Sequence, residues 1–354
     1  MTATLTSHQG ARLTVDDLRS MYLDCSIHEL GSRAFEVTER LHPEDYRTYV
    51  VDRNINYANW CTAKCIFCNF KADPPEMKSG RTDLPAGYTL TYDQIGAKID
   101  ELVAIGGTQI LMQGGLVPKD GESGLSFDWY LDLMRFIKRN WPKVHIHAFS
   151  PPEIFGFHQI FNLSIHEVLV RLQEAGLDSV PGGGGEILSD RVRDKIGQGK
   201  TLTHEWLEVM RQCHILGMKT SCTMMFGHIE TLDERLQHLR LLRELQDESL
   251  ARGNGGGFSA YICWTFQPDN TPLGRMKKLP IGEGAEGPRG RGAVGSREEG
   301  WRSSGRDNAC DGQVGNPSHN TPVGNRCHSE LTQSRNRQIA KSPDQSPRPL
   351  DDGK

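Results

Sequence analysis

No stretch of this sequence is apolar for long enough to cross a bilayer, so nothing in it reads as a membrane-spanning helix. Its first ten residues, MTATLTSHQG, lack the charged-then-apolar layout of a secretory leader. Without that signal, nine cysteines argue for a reducing cytoplasm and against a disulfide framework. Net charge is small, −4 over 354 residues, and points to no nucleic-acid or anionic-membrane partner. The fourfold glycine run, Gly182 to Gly185, lacks the lysine and serine of a P-loop, which argues against a nucleoside-triphosphate site of that kind. The length suits one large domain or two ordinary ones.

What the sequence does have is a cysteine window, Cys61-Thr62-Ala63-Lys64-Cys65-Ile66-Phe67-Cys68, spaced C-x3-C-x2-C. Three thiolates this close cannot all pair as disulfides, but they can serve one soft metal centre: zinc, Cu(I) or iron–sulfur. Structural zinc wants a fourth ligand, and no second C-x2-C or H-x3-5-H follows. A set that stops at three suits a 4Fe–4S cluster with one iron left open to a substrate. The competing reading is a structural metal knuckle.

Residues 1–45 read as a helical lead-in, with Thr14, Asp16 and Asp17 at a helix start. Tyr46 to Ala58 is strand-like, and the cysteine window follows it directly. A repeated unit comes next. Thr91 with Gln94 makes a capping box ahead of the stripe Ile95, Ile99, Leu102 and Val103. Strands are expected at Gln109–Met112, Val144–Phe149, Leu177–Val180, Lys219–Phe226 and Phe258–Phe266. Helices are expected around Phe127–Ile137, His166–Ala175, from Thr203 to Gly217, and from Thr231 onward. Strands alternating with helices predict an α/β fold with a parallel sheet, curled by right-handed crossovers into a partial (β/α) TIM-type barrel of about six strands over residues 46–280. The cysteine window, QGG, SPPE, PGGGGE and GHIE each follow a strand, so all five would face one cavity at the carboxyl ends. Residues 281–354 are rich in Gly, Arg, Ser, Asn, Asp and Pro with sparse apolar residues, and read as a disordered tail. Its Arg-Gly and Arg-Ser pairs are interspersed with acidic residues, which favours a plain tail over an RNA-binding one, and Cys310 and Cys327 read as incidental.

His145 and His147 lie two apart on a strand and share a face. They are polar barrel-lining residues or, alternatively, a metal pair. His228 and Glu230 are either proton-handling residues or a helix-start cluster, where Glu230 is favourable. Met224, Met225, Trp264 and Phe266 read as core or cavity wall.

With cysteines after a first strand and glycines after a second, the chain resembles the radical S-adenosylmethionine superfamily, whose signature is C-x3-C-x-aromatic-C. Within it, residues 45–280 are similar to the cyclic dehypoxanthine futalosine synthases of menaquinone biosynthesis. The strings NINYANWCTAKCIFCNFKAD, LMQGG, HIHAFSPPEI, PGGGGEIL, TMMFGHIET and WTFQPDNTPLG carry that similarity. Aminofutalosine synthase and the FO synthase subunits are the neighbouring alternatives, and an inactive iron–sulfur-binding remnant is the alternative of another class. The resemblance implies that Cys61, Cys65 and Cys68 ligate a 4Fe–4S cluster. It also implies that Gln113, Gly114 and Gly115, with Ser150 and Glu153, contact S-adenosylmethionine. Phe67 would pack beside the cluster. Glu186 would bind hydroxyls or act as a base, and His228 would take the proton lost at ring closure. The implied partners are dehypoxanthine futalosine as small-molecule substrate and an electron donor such as flavodoxin or ferredoxin. Family members continue past the WTFQP strand with more helix and strand. Here the apolar pattern ceases after Pro280, as a truncated or frame-shifted reading frame would make it.

Overall fold

A computed structural model describes residues 12–46, 48–77 and 84–276. The 281–354 tail lies outside the described residues, and so do Cys310 and Cys327. The described elements are, in order, α1 (Val15–Asp24), α2 (Ile27–Leu41), β1 (Asp52–Asn56), β2 (Lys64–Cys65), α3 (Tyr92–Ala104), β3 (Gln109–Gln113), α4 (Phe127–Asn140) and β4 (His145–Ala148). There follow α5 (Pro151–Phe161), α6 (Ile165–Ala175), β5 (Ser179–Val180), α7 (Asp190–Ile196), β6 (Gly197–Gln198), α8 (Thr203–Ile215), β7 (Lys219–Phe226), α9 (Leu232–Arg252), β8 (Gly257–Thr265) and α10 (Pro272–Arg275).

Six strands pair in the order β1-β3-β4-β5-β7-β8. Every pairing is parallel. This is the curled half-barrel that the alternating pattern predicts. Helices α3 and α9 start where the sequence says they should. Thr91 and Gln94 cap α3 reciprocally, and Thr231 and Glu234 do the same for α9.

Side chains alternate across the sheet. Ile55, Ile110, Met112, Ile146, Ala148 and Val180 are buried in the core cluster that includes the helices' apolar stripes. Trp206 from α8 is fully buried and stacks on Phe258, with ring centroids 6.4 Å apart. Burying one such side chain is worth about 1.5–3 kcal/mol. The intervening residues, Asn54, Asn56, Gln113, His145 and His147, stay partly or fully exposed on the concave face.

The structure corrects the sequence reading in three places. The first strand covers only Asp52–Asn56, because its partner β3 begins opposite Asp52; Tyr46, Tyr49 and Val50 are exposed. Two helices, α5 and α7, stand where open loops were expected. Two prolines at the start of α5 fit its first turn, where their missing N–H groups cost nothing. Trp264, expected in a wall or core, is 42% exposed on β8.

Candidate functional site

The chain leaving β1 is held by one buried side chain. Asn59 donates to Ala86 O at 2.9 Å and accepts from Tyr88 N at 2.8 Å. Backbone bonds then tie the cysteine loop to its surroundings: Cys61 N to Ala72 O at 2.9 Å, Thr62 N to Leu116 O at 3.0 Å, and Ile66 N to Ile196 O at 2.9 Å. Within the loop, Lys64 and Cys65 form the two-residue strand β2, antiparallel to Gly197 and Gln198 of β6. Lys71 is buried and donates to Ala63 O and Asp73 at 2.8 and 2.5 Å.

The loop also presses against the glycines after β3. A methyl group on Gly115 would sit 2.1 Å from the Trp60 carbonyl oxygen and 2.8 Å from Cys61 Cβ. One on Gly114 would sit 2.4 Å from the Tyr57 ring. Only glycine permits that approach. The Leu116 N–H points at Cys61 Sγ at 3.3 Å, and Phe70 N–H points at Cys68 Sγ at 3.4 Å. Such donors suit sulfurs that carry charge.

Glu153 reaches back from α5. One carboxylate oxygen accepts from Tyr57 Oη at 2.7 Å and Gly114 N at 3.0 Å. The other accepts from Ser150 N at 2.8 Å and Ser150 Oγ at 2.6 Å. Through these four bonds, two to each oxygen, Glu153 holds the QGG turn and Ser150 in place. Phe149, just before, adopts a left-handed backbone at φ 59°.

The glycine run after β5 packs on three strand ends. A methyl on Gly183 would meet Gln113 Nε2 at 2.4 Å and Ser150 Cβ at 3.2 Å. On Gly184 it would meet Pro152 Cγ at 2.3 Å, and on Gly182 Cys222 Cα at 2.6 Å. QGG, SPPE and GGGG therefore converge, as the barrel topology requires. The run's carbonyls are engaged by protein donors. Thr223 Oγ1 reaches Gly182 O at 2.6 Å, and Arg193 Nη1 reaches Gly184 O and Gly185 O at 3.0 Å each.

Glu186 ends the run at φ 32°, another left-handed non-glycine. It pairs with Lys200 Nζ at 2.9 Å. Lys200 in turn lies 5.3 Å from the Phe67 ring centroid, so a cation stands against the cysteine loop. Phe67, Glu186, Arg193, Ile196, Gly197 and Lys200 line one small crevice there. Burial pushes the Cys65 thiol up to about 12, and Lys200 opposes that shift. Burial also raises Cys61. Lys200 and Arg193 went unseen in the sequence because they follow no strand of the main sheet. The weak signal was Gly197 and Gly199 bracketing a turn.

His228 is not presented to this site. It is buried, Nε2 donates to Met225 O at 3.0 Å, and Nδ1 lies 3.2 Å from Glu230 without hydrogen-bond geometry. Glu230 also accepts from Gly227 N at 2.6 Å and His228 N at 2.9 Å, and pairs with Arg235 at 2.5 Å. Burial lowers the His228 pKa, and its unpartnered nitrogen, Nδ1, is buried against Glu230. That setting favours the helix-start reading of the pair. His145 and His147 lie on the concave wall, bonded to neighbouring hydroxyls as polar lining. Among the described residues no three Cys, His, Asp or Glu side chains close around a single ion. Three thiolates that each hold a different iron need not meet at one point. The donor set, its N–H···S contacts and the adjacent lysine fit a cluster.

The comparisons agree with this geometry. Residues 55–242 match the model of the radical SAM superfamily. A cyclic dehypoxanthine futalosine synthase of Halalkalibacterium halodurans is 38% identical over 76% of this chain and 68% of its own length. An aminodeoxyfutalosine synthase of Thermus thermophilus is 39% identical over 75% and 66%. A 5-amino-6-(D-ribitylamino)uracil–L-tyrosine 4-hydroxyphenyl transferase of Methanosarcina mazei is 37% identical over 76% and 64%. The chain thus spans about two thirds of the length of these relatives. The crystal structure of methylornithine synthase shares the fold, with a TM-score of 0.53 at 17% identity, over 77% of this chain and 71% of that one. No described helix is long and apolar enough to cross a membrane. Fold, cysteine loop and matches lead to one conclusion: the chain belongs to the radical SAM superfamily, whose enzymes use a 4Fe–4S cluster and S-adenosylmethionine.

Proposed function

We propose that this chain is a radical cyclase converting dehypoxanthine futalosine to its cyclic form, a step toward menaquinone, in the cytoplasm. The observation that carries the reading is the interlock of QGG, SPPE and GGGGE around the cysteine loop, in a chain 38% identical to a protein of that name. Cys61, Cys65 and Cys68 would hold three irons, leaving the fourth for S-adenosylmethionine. The bound pair, reduced by a flavodoxin or ferredoxin, would supply a 5′-deoxyadenosyl radical able to take hydrogen from the ribose C4′.

The chain's own residues do the rest. Phe67 and Ile196 keep water from the loop. Lys200 offsets negative charge there and fixes the carboxylate of Glu186, which is set to accept hydrogen bonds from sugar hydroxyls. Gln113, Gly114 and Gly115 bring backbone close to the methionine end, and Ser150 stands beside them. The polar concave wall, from Asn54 to His147, suits a hydroxyl-rich substrate. The 39% identical Thermus relative favours a second reading, aminodeoxyfutalosine synthesis in the same chamber.

The test is anaerobic reconstitution with iron and sulfide, then reductant, S-adenosylmethionine and each substrate separately. 5′-Deoxyadenosine with cyclised product is expected from dehypoxanthine futalosine. An intact cluster that yields no deoxyadenosine with any substrate overturns the activity. Triple Cys61/Cys65/Cys68→Ala is expected to abolish bound iron, and iron that survives it overturns the ligand assignment.

A further inference from the structure

His228, the expected proton acceptor of the ring closure, is buried against Glu230. The concave wall offers a different one. Ser179 Oγ on β5 lies 2.6 Å from His145 Nε2 and 2.7 Å from His147 Nδ1. His147 Nε2, on the ring's other side, lies 3.5 Å from Ser221 Oγ on β7. Ser221 Oγ already accepts Gly182 N–H at 3.0 Å, at the base of the glycine run. Its own proton is therefore free to point at His147.

One hydroxyl carries one proton, so Ser179 donates to one ring and accepts from the other. With Ser221 donating, His147 Nε2 must hold a lone pair and Nδ1 the proton. Nδ1–H then donates to Ser179, Ser179 donates to His145 Nε2, and His145 carries its proton on Nδ1. Because Ser179 meets a different nitrogen on each ring, both histidines share one tautomer. Burial lowers both pKa values, that of His147 to about 4, so the rings are neutral near pH 7, and the Ser221 contact that holds the His147 Nε2 lone pair is long, 3.5 Å.

We infer that His147, Ser179 and His145 form a proton exit from the floor of the chamber toward the amino ends of the strands. The inference rests on the cyclase reading and names a proton acceptor for it. A proton shed by the substrate adds to His147 Nε2 as the Ser221 hydroxyl turns away. The Nδ1 proton passes to Ser179 Oγ, the Ser179 proton passes to His145 Nε2, and the His145 Nδ1 proton leaves to solvent near Asp178 and Lys138. One proton enters, one leaves, and both rings end neutral in the other tautomer. The half-buried setting of His145 and His147 gives the path an entrance and an exit.

Two measurements test it. Long-range proton–nitrogen correlation spectra of 15N-histidine-labelled, reconstituted protein are expected to show both rings as the Nδ1–H form at pH 7. Ser179→Ala should shift both rings together, and Ser179→Thr, which keeps the hydroxyl, should restore them. Opposite tautomers in the two rings, or no response to Ser179→Ala, overturns the path. In turnover, Ser179→Ala is expected to lower cyclised product relative to 5′-deoxyadenosine by about 10²-fold, the low end for a lost acid–base route, and Ser179→Thr to recover most of it. An unchanged ratio overturns the path as well. Wild-type protein that cyclises nothing would instead overturn the cyclase reading, and the tautomer spectra still decide the hydrogen-bonded chain.

Discussion

The two sides of the half-barrel are built to different standards. On the first side, the ends of β1, β3, β4 and β5 lock together through close glycine contacts and the four hydrogen bonds of Glu153. On the second, β7 and β8 pair over eight residues, yet β7 is buried for most of its length and β8 is exposed for most of its own. Equal hydrogen bonding therefore does not make equal strands. Backbone pairing holds both in register, but only a strand covered on both faces gains the apolar burial that dominates stability. The chemistry sits where the backbone has least freedom, which is what preorganisation of a reactive centre requires.

The largest expected effect comes from breaking the locked side. Gly115→Ala drives a methyl against the Trp60 carbonyl and Cys61 Cβ, and neither can turn away because both belong to tied backbone. It is expected to destabilise by about 1–3 kcal/mol and to cut iron incorporation several-fold, measured by denaturant melts and iron content. A variant that binds full iron would show that the loop tolerates a shift the geometry forbids. Gly255→Ala, in open space at φ 84° near β8, should cost only the backbone strain and leave iron unchanged.

Much of this division was legible in the sequence. The capping boxes at Thr91 and Thr231, the glycine stops and the period of Ile95, Ile99 and Leu102 are local signals, and each element formed where its signal lay. The cysteine spacing and the strand-end strings predicted the convergence, because strand ends in this topology share one mouth. What stayed hidden was pairing between distant segments. The Cys65–Gly197 ladder, the Lys200–Glu186 pair and the serine that bridges His145 and His147 depend on three-dimensional proximity, which no period encodes. α5 was signalled by Ser150, two prolines and Glu153, the very string read as an open loop. Exposure of β8 was equally illegible, since Tyr261, Ile262 and Trp264 look in sequence like core.

A smaller effect sharpens the second side from within. His214 is fully buried behind β7, with Nε2 2.8 Å from Thr220 Oγ1 and Nδ1 2.6 Å from Ser249 Oγ. Burial lowers its pKa to about 4, and that of His238 on α9 to about 3. Both folded values lie below the unfolded one, so neutral rings stabilise the fold above about pH 6.5. That contribution is lost as pH falls from there toward 4, because the unfolded chain takes up protons that the folded chain refuses. A loss on the order of a few kcal/mol is expected across that window in urea melts. His214→Gln should flatten the slope. A slope that is already flat in the wild type would mean that these rings are more open than their burial indicates.

The smallest effect compares neighbours across a single strand pair. Cys222 on β7 is buried and raised to about 12 by burial, whereas Cys263 on β8 is exposed and sits opposite Met224 in the ladder. Thiolate, not thiol, attacks a maleimide, and it must also be reached. Peptide mapping after brief labelling should find Cys263 modified before Cys222 and Cys213, which stay protected until the protein unfolds. The same asymmetry governs substitution. Tyr261→Thr removes a side chain already 42% exposed and puts a β-branched residue in a strand, so its cost should stay within about 0.5 kcal/mol. Cys222→Thr puts a hydroxyl at a site 4% exposed, where the sulfur meets Ala260 O at a long 3.5 Å, and should cost about 1–3 kcal/mol. If the two substitutions cost the same, β8 is covered in solution as fully as β7, and the difference between the two sides of the half-barrel disappears with it.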